Sequence, residues 1–266
     1  MMRAPDGTAY DVYGPADAPL VVLVHGLGLT RAVWDLTIPY LAGNFRVLAY
    51  DILGHGQTPP PSGTPSLTPL ARQLADLLDH SSAKAAALVG FSLGGMIARR
   101  FAQDFADRTQ ALVIMHSPHR RTPEAQAAIL ARVAQASGAG PASTVEAALT
   151  RWFTDEFRMA NPSVMNRVRG WVLANDPKTY PSFYSILADG IDEIVAPQPP
   201  ICCPTLVMTA DQDYGNGPDM SMAIAAEIAG AETIILPGLR HMALMEDPVR
   251  TNAALGRFLQ KAVPRG

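Results

Sequence analysis

The chain has 266 residues, 48% hydrophobic and 17% charged, a balance that excludes disorder and supplies enough apolar surface for a sizeable core. Its 21 basic and 24 acidic residues leave a formal charge of −3 with no basic block, which argues against nucleic acid as a partner. No apolar run approaches the ~20 residues that span a bilayer and the N-terminus lacks a signal-peptide core, so the expectation is a soluble, cytoplasmic protein with no membrane partner. The only cysteines, Cys202 and Cys203, are adjacent, which is poor geometry for a disulfide and too few ligands for structural zinc; both read as small core-side residues entering a strand.

Asp11–Tyr13 and Leu20–Val24 read as strands separated by the Gly14-Pro15 and Ala18-Pro19 breakers, the second apolar enough for a central parallel strand buried on both faces. It runs into the loop His25-Gly26-Leu27-Gly28, where His25 is expected to fix the loop rather than catalyse. A helix is expected from Thr30 to Leu41, a strand from Asn44 to Tyr50, and then a Gly/Pro-rich loop in which Asp51 and His55 act as buttresses. Thr68 to Asp79 carries Leu70, Leu74, Leu77 and Leu78 on one helical face.

The apolar run from Ala85 to Val89 then meets Gly90-Phe91-Ser92-Leu93-Gly94, and helix formers follow at once. Strand, Gly-x-Ser-x-Gly and helix in that order predict a sharp turn that pushes the Ser92 hydroxyl out at the top of a sheet as a nucleophile. The amide of Leu93, opening the helix, is the first candidate oxyanion donor, and that of Leu27, in the loop after the earlier strand, is the second. A helix from Met96 to Phe105 and a strand from Ala111 to Met115 continue the alternation, which implies a mostly parallel, twisted α/β sheet with helices on both faces. From about Arg120 to Pro197 only helical patterns follow: Pro123 to Ala136, Ala142 to Phe153, Pro162 to Leu173 and Tyr180 to Asp189. Residues 120–197 therefore read as a helical lid inserted between a first core part, 1–119, and a second, 198–266. In the second, Pro204–Thr209 restarts the sheet, Met220 to Ala229 is a helix, Glu232–Leu236 is the last strand and Asp247 to Ala262 the closing helix. The Ala-rich helices leave apolar faces open to homodimer packing.

A serine hydroxyl is a weak nucleophile at neutral pH, so the elbow demands a histidine base and an orienting carboxylate in the order Ser, acid, His. Asp211 and Asp213 follow the strand at 204–209 and His241 follows the strand at 232–236, each at the carboxyl end of a parallel strand. Periodicity does not choose between the two aspartates. Trp152, in the lid, is a candidate pocket wall and equally a lid-core aromatic; His116 and His119 are expected to be structural or solvated.

Taken together, His25 to Gly28, Asp51 to Gly56, Gly90 to Gly95, and the Asp213 and His241 segments resemble the α/β-hydrolase superfamily over the whole chain. In that family the acid stands three residues after a small residue at a strand end, here Ala210, which favours Asp213. The lid stretches Arg151 to Arg158 and Asn175 to Tyr180 resemble 3-oxoadipate enol-lactonases. The resemblance implies hydrolysis of a lactone or small carboxylic ester, with no metal or cofactor. An amidase, a carbon–carbon bond hydrolase, a cofactor-free perhydrolase or haloperoxidase, or a non-turnover small-molecule receptor would use the same scaffold.

Overall fold

The computed structural model describes residues 1–263. Eight strands form one sheet: β1 (Met2–Arg3), β2 (Ala9–Tyr13), β3 (Leu20–Val24), β4 (Arg46–Tyr50), β5 (Ala86–Phe91), β6 (Thr109–Met115), β7 (Thr205–Ala210) and β8 (Glu232–Leu236). Their order across the sheet is β1-β2-β4-β3-β5-β6-β7-β8; β2 runs antiparallel to both its neighbours, β1 and β4, and the six strands from β4 to β8 are mutually parallel. Parallel strands in the middle of a sheet are covered on both faces, and β3, β5 and β7 are accordingly buried at every residue.

Because side chains alternate along a strand, the sheet divides its apolar residues between two cores. Val22, Val24, Leu88 and Ile114 face one, under the helices α2 (Leu67–His80) and α3 (Leu93–Asp104). Val21, Leu23, Val89 and Val113 face the other, which also takes residues of the short α1 (Ile38–Leu41). Between β6 and β7 the chain is helical: α4 (Pro123–Ala139), α5 (Val145–Trp152), α6 (Asp155–Ala160), α7 (Pro162–Leu173) and α8 (Tyr180–Asp189). The C-terminal part adds α9 (Pro218–Ala226), α10 (Ala243–Glu246) and α11 (Pro248–Ala262), of which α11 packs into the second core. No helix among the described residues is long and apolar enough to cross a membrane.

Three expectations need correction. The segment from Thr30 to Leu41 is not one helix but a 3₁₀ turn, Arg31–Trp34, followed by α1. Pro39 has no N–H to give and its ring would strike the carbonyl four residues earlier, so a helix cannot run through Asp35 to Thr37 into it. The segment from Ala142 to Phe153 is likewise divided, into the 3₁₀ turn Gly140–Ser143 and α5. Cys202 is exposed and only Cys203 is partly buried, because Ile201 takes the inward position ahead of β7.

Candidate active site

Ser92 sits between β5 and α3 with φ 56° and ψ −115°, a left-handed backbone that a non-glycine residue holds only under constraint. The constraint is visible. Its N–H donates to Met115 O at 2.8 Å, and its carbonyl accepts from the Ser117 hydroxyl at 3.0 Å and from Gly95 N at 2.9 Å. The flanking glycines are required by close approach: a Cβ on Gly94 would overlap the Val24 carbonyl, and one on Gly90 would overlap the Gly94 carbonyl.

The loop after β3 lies directly against this elbow, since a Cβ on Gly26 would fall 3.1 Å from Ser92 Cβ. Among the described residues, neither Leu27 N–H nor Leu93 N–H donates to another protein group, so both amides remain available as donors. His25 holds the loop: Nδ1 donates to Gly26 O at 2.8 Å and Nε2 accepts from Ile52 N at 3.0 Å. That arrangement needs a neutral ring, and complete burial brings the pKa of His25 down to about 4. His55 is buried as well, its pKa brought down to about 3 by burial first and by His25 second.

Asp213 is 4% exposed. Its Oδ1 accepts from Gly215 N at 3.1 Å and Asn216 N at 3.0 Å, while its Oδ2 accepts from His241 Nδ1 at 2.8 Å. Burial by itself would raise this carboxyl; the two imidazoles that face it, His241 foremost, override burial and hold it far below the usual carboxylate range. Asp211 is exposed and accepts from Gly238 N at 2.8 Å, so it ties the β7 and β8 loops together rather than reaching His241.

A second histidine shares the carboxylate. His116 is fully buried, and its Nδ1 lies 2.9 Å from the same Oδ2 and 3.2 Å from Thr209 Oγ1. Thr209 spends its one proton on Asn216 O at 2.7 Å, so its oxygen can only accept, and His116 Nδ1 must carry the proton. The sequence reading of His116 as a structural or solvated residue misses this contact. The signal available was faint, a histidine just beyond the β6 end; the long-range pairing with Asp213 leaves no local pattern. His116, Asp213 and His241 offer potential ligand atoms within 4.8 Å of one another, yet the two Nδ1–H groups pointed at Oδ2 would have to lose their protons before a cation could enter. His119 instead lies against Glu227 Oε1 at 3.0 Å.

Ser92, Asp213, His241, Gly26, Leu27 and Trp152 line a single cavity of about 80 Å³, closed on the other side by residues of α4, α5 and α8. The fold matches a known family. A model of the alpha/beta hydrolase fold family covers residues 19–248. The chain belongs to the α/β-hydrolase family.

This α/β-hydrolase is 29% identical over 254 residues to 3-oxoadipate enol-lactonase 2 of Acinetobacter baylyi, spanning 95% of the chain and 92% of that protein. Among solved structures, the enol-lactonase from Burkholderia xenovorans superposes with a TM-score of 0.87 at 26% identity, covering 95% of this chain and 96% of that one. A thermophilic esterase from Thermogutta terrifontis superposes with a TM-score of 0.85 at 26% identity, covering 98% and 96%.

In this α/β-hydrolase the helical segment is bolted to the His241 loop. Trp152 O accepts from Met242 N at 2.9 Å, and Arg240 Nη1 donates to Phe153 O at 2.8 Å. Glu246 accepts from Thr154 N at 2.7 Å, Thr154 Oγ1 at 2.8 Å and Arg240 N at 2.8 Å. These bonds lay the Trp152 indole beside the His241 ring, with centroids 6.1 Å apart and planes at 29°, while Phe91 supports the imidazole at 5.0 Å. Trp152 thus lines the cavity and also packs against the second core. On the opposite side, Asn175 Nδ2 donates to Gly28 O at 3.1 Å, linking α7 to the loop that carries Leu27.

Proposed function

We propose that this chain is a serine hydrolase that opens a lactone or cleaves a small carboxylic ester. The observation that carries the reading is the His241 Nδ1 to Asp213 Oδ2 hydrogen bond of 2.8 Å in the cavity that Ser92 lines from its strained elbow. Because Nδ1 is the protonated nitrogen, Nε2 carries the lone pair and can serve as base.

In the proposed reaction Ser92 Oγ bonds to the acyl carbon as its proton passes to His241 Nε2. The Leu27 and Leu93 amides hold the resulting oxyanion, and Asp213 stabilises the imidazolium without taking its proton. Collapse breaks the bond to the alcohol oxygen, which receives the proton from His241; in a lactone that oxygen stays tethered to the acyl chain. A water molecule, deprotonated by His241, then attacks the acyl-enzyme, and the proton returns to Ser92 Oγ as the carboxylic acid leaves. The enol-lactonase and esterase relatives support an ester-type substrate. A panel of lactones and short esters, assayed with the wild type and Ser92→Ala, tests the reading: turnover is expected to vanish in the variant, and equal turnover by both proteins would contradict it.

A further inference from the structure

Three arginines enter the same cavity from three separate segments: Arg121 from the loop after β6, Arg132 from α4 and Arg151 from α5. Their carboxylate pairing differs from that of other buried and half-buried arginines. Arg31 pairs with Asp11 and Asp51, Arg99 with Glu227, and Arg100 with Asp104 and Glu193, but among the described residues none of the cavity three forms an ion pair. Among the described residues Asp213 is the only carboxylate in the cavity wall, and its oxygens are already engaged by His116, His241 and two backbone amides.

Arg121 Nη1 is buried with no hydrogen-bond partner at all. Burial, and secondly the neighbouring Arg132, brings the Arg121 guanidinium down to about 10, and burial lowers that of Arg151 as well. At about 10 Arg121 is still a cation at neutral pH. The remaining walls near these groups are Ile129, Trp152 and Leu187, which solvate charge poorly, and Tyr180 and Tyr184, neutral phenols of which Tyr184 hydrogen-bonds Arg151 but supplies no counter-charge. Clustered, unpaired cations in such a setting are costly unless an anion joins them.

We propose that the cavity takes an ester or lactone whose portion remote from the scissile carbonyl carries two negative charges, held by Arg121, Arg132 and Arg151. A single carboxylate engages one guanidinium fully and leaves two half-buried like charges without a counter-ion; a second anionic group resolves that surplus. Two carboxylates or one phosphate monoester supply the same charge. The inference rests on the serine-hydrolase reading above, because it assigns these arginines to the part of the substrate that Ser92 does not attack.

The test compares p-nitrophenyl butanoate, p-nitrophenyl hemisuccinate, the mono-p-nitrophenyl ester of tricarballylate and p-nitrophenyl 3-phosphonooxypropanoate, which carry none, one, two and two negative charges beyond the ester. The expected kcat/KM rises about tenfold or more with each charge, on the scale of a charge-assisted bidentate contact. The two dianions are compared with each other to tell carboxylates from phosphate. Within Arg132→Gln and Arg151→Gln, the ratio of dianionic to neutral ester is expected to fall about tenfold. Using the ratio within each protein removes any loss of folded enzyme. A neutral or singly charged ester that matches the better dianion, or a ratio unmoved in both variants, overturns the inference. Labelling of Ser92 by an uncharged organophosphate separates the two readings: label without charge preference sinks only the dianion, whereas no label sinks the serine mechanism beneath it.

Discussion

His116 and His241 aim their Nδ1 atoms at one and the same oxygen, Oδ2 of Asp213, at 2.9 and 2.8 Å. One carboxylate oxygen therefore orients two imidazoles, one facing the cavity and one wholly inside the protein. His116 reaches this position at φ 50°, held by its N–H to Met208 O at 2.8 Å and by Asn216 Nδ2 on its carbonyl at 2.8 Å. Strain of this kind persists only where the surroundings enforce it.

His116 should therefore act as a positioning residue. Replacing it with leucine is expected to cost about 1.5–3 kcal/mol of stability, the worth of a hydrogen bond to a buried charge, while kcat falls no more than about tenfold. Asp213, with one fewer donor, would be less depressed. Its stabilising contribution, present above the unfolded-state pKa of about 4 and lost as pH falls, would shrink. Urea unfolding of wild type and variant across the acid range checks both points; an unchanged acid limb would contradict the shared-oxygen account.

The two aspartates give a direct contrast. Asp213→Asn should lower kcat on the order of 10⁴-fold, because an amide can present the wrong group to His241 Nδ1. Asp211→Asn removes only an exposed contact to Gly238 N and should leave kcat within about twofold. Steady-state kinetics on the best ester decides, and a larger loss at Asp211 would reverse the assignment.

Acid sensitivity should also come from the loop beneath Ser92. Below about pH 6.5 an unfolded chain protonates His25 and His55, whereas the folded protein resists until about pH 4 and about pH 3. Their contribution is thus complete above pH 6.5 and lost as pH falls, by about 2 kcal/mol apiece at pH 5. Urea unfolding at pH 7.5 and pH 5 measures it, and a flat profile would show that neither ring is held neutral.

Glu246 joins the helical segment to the His241 loop through three accepted hydrogen bonds. Glu246→Ala should cost about 1–2 kcal/mol and lower kcat, since the half-buried donors of Thr154 and Arg240 lose their acceptor and Trp152 is no longer fixed beside His241. Thermal unfolding together with kinetics tests this; a stable variant with reduced kcat would place the bolt in the chemistry alone.

Much of the framework is written locally in the sequence. The alternation of buried strands and amphipathic helices, and the Gly90 to Gly94 turn, are short-range patterns whose physics is steric. Asp213, favoured over Asp211 by family spacing in the sequence, is the aspartate whose Oδ2 meets His241 Nδ1 in the structure. What the sequence hides is of two kinds. The 3₁₀ break before α1 depends on a single proline, Pro39, inside an otherwise helical pattern. His116 and the arginine cluster depend on tertiary convergence: Arg121, Arg132 and Arg151 occupy three segments, and nothing in the spacing of any one announces the other two.

The central claim is that Ser92 becomes acylated. Incubation with diisopropyl fluorophosphate followed by peptide mass spectrometry should give one phosphoryl adduct per chain, on Ser92, absent from Ser92→Ala and formed far more slowly in His241→Gln. Ester hydrolysis that continues undiminished with Ser92 unmodified, or an adduct on any other residue that accounts for the inhibition, would contradict it.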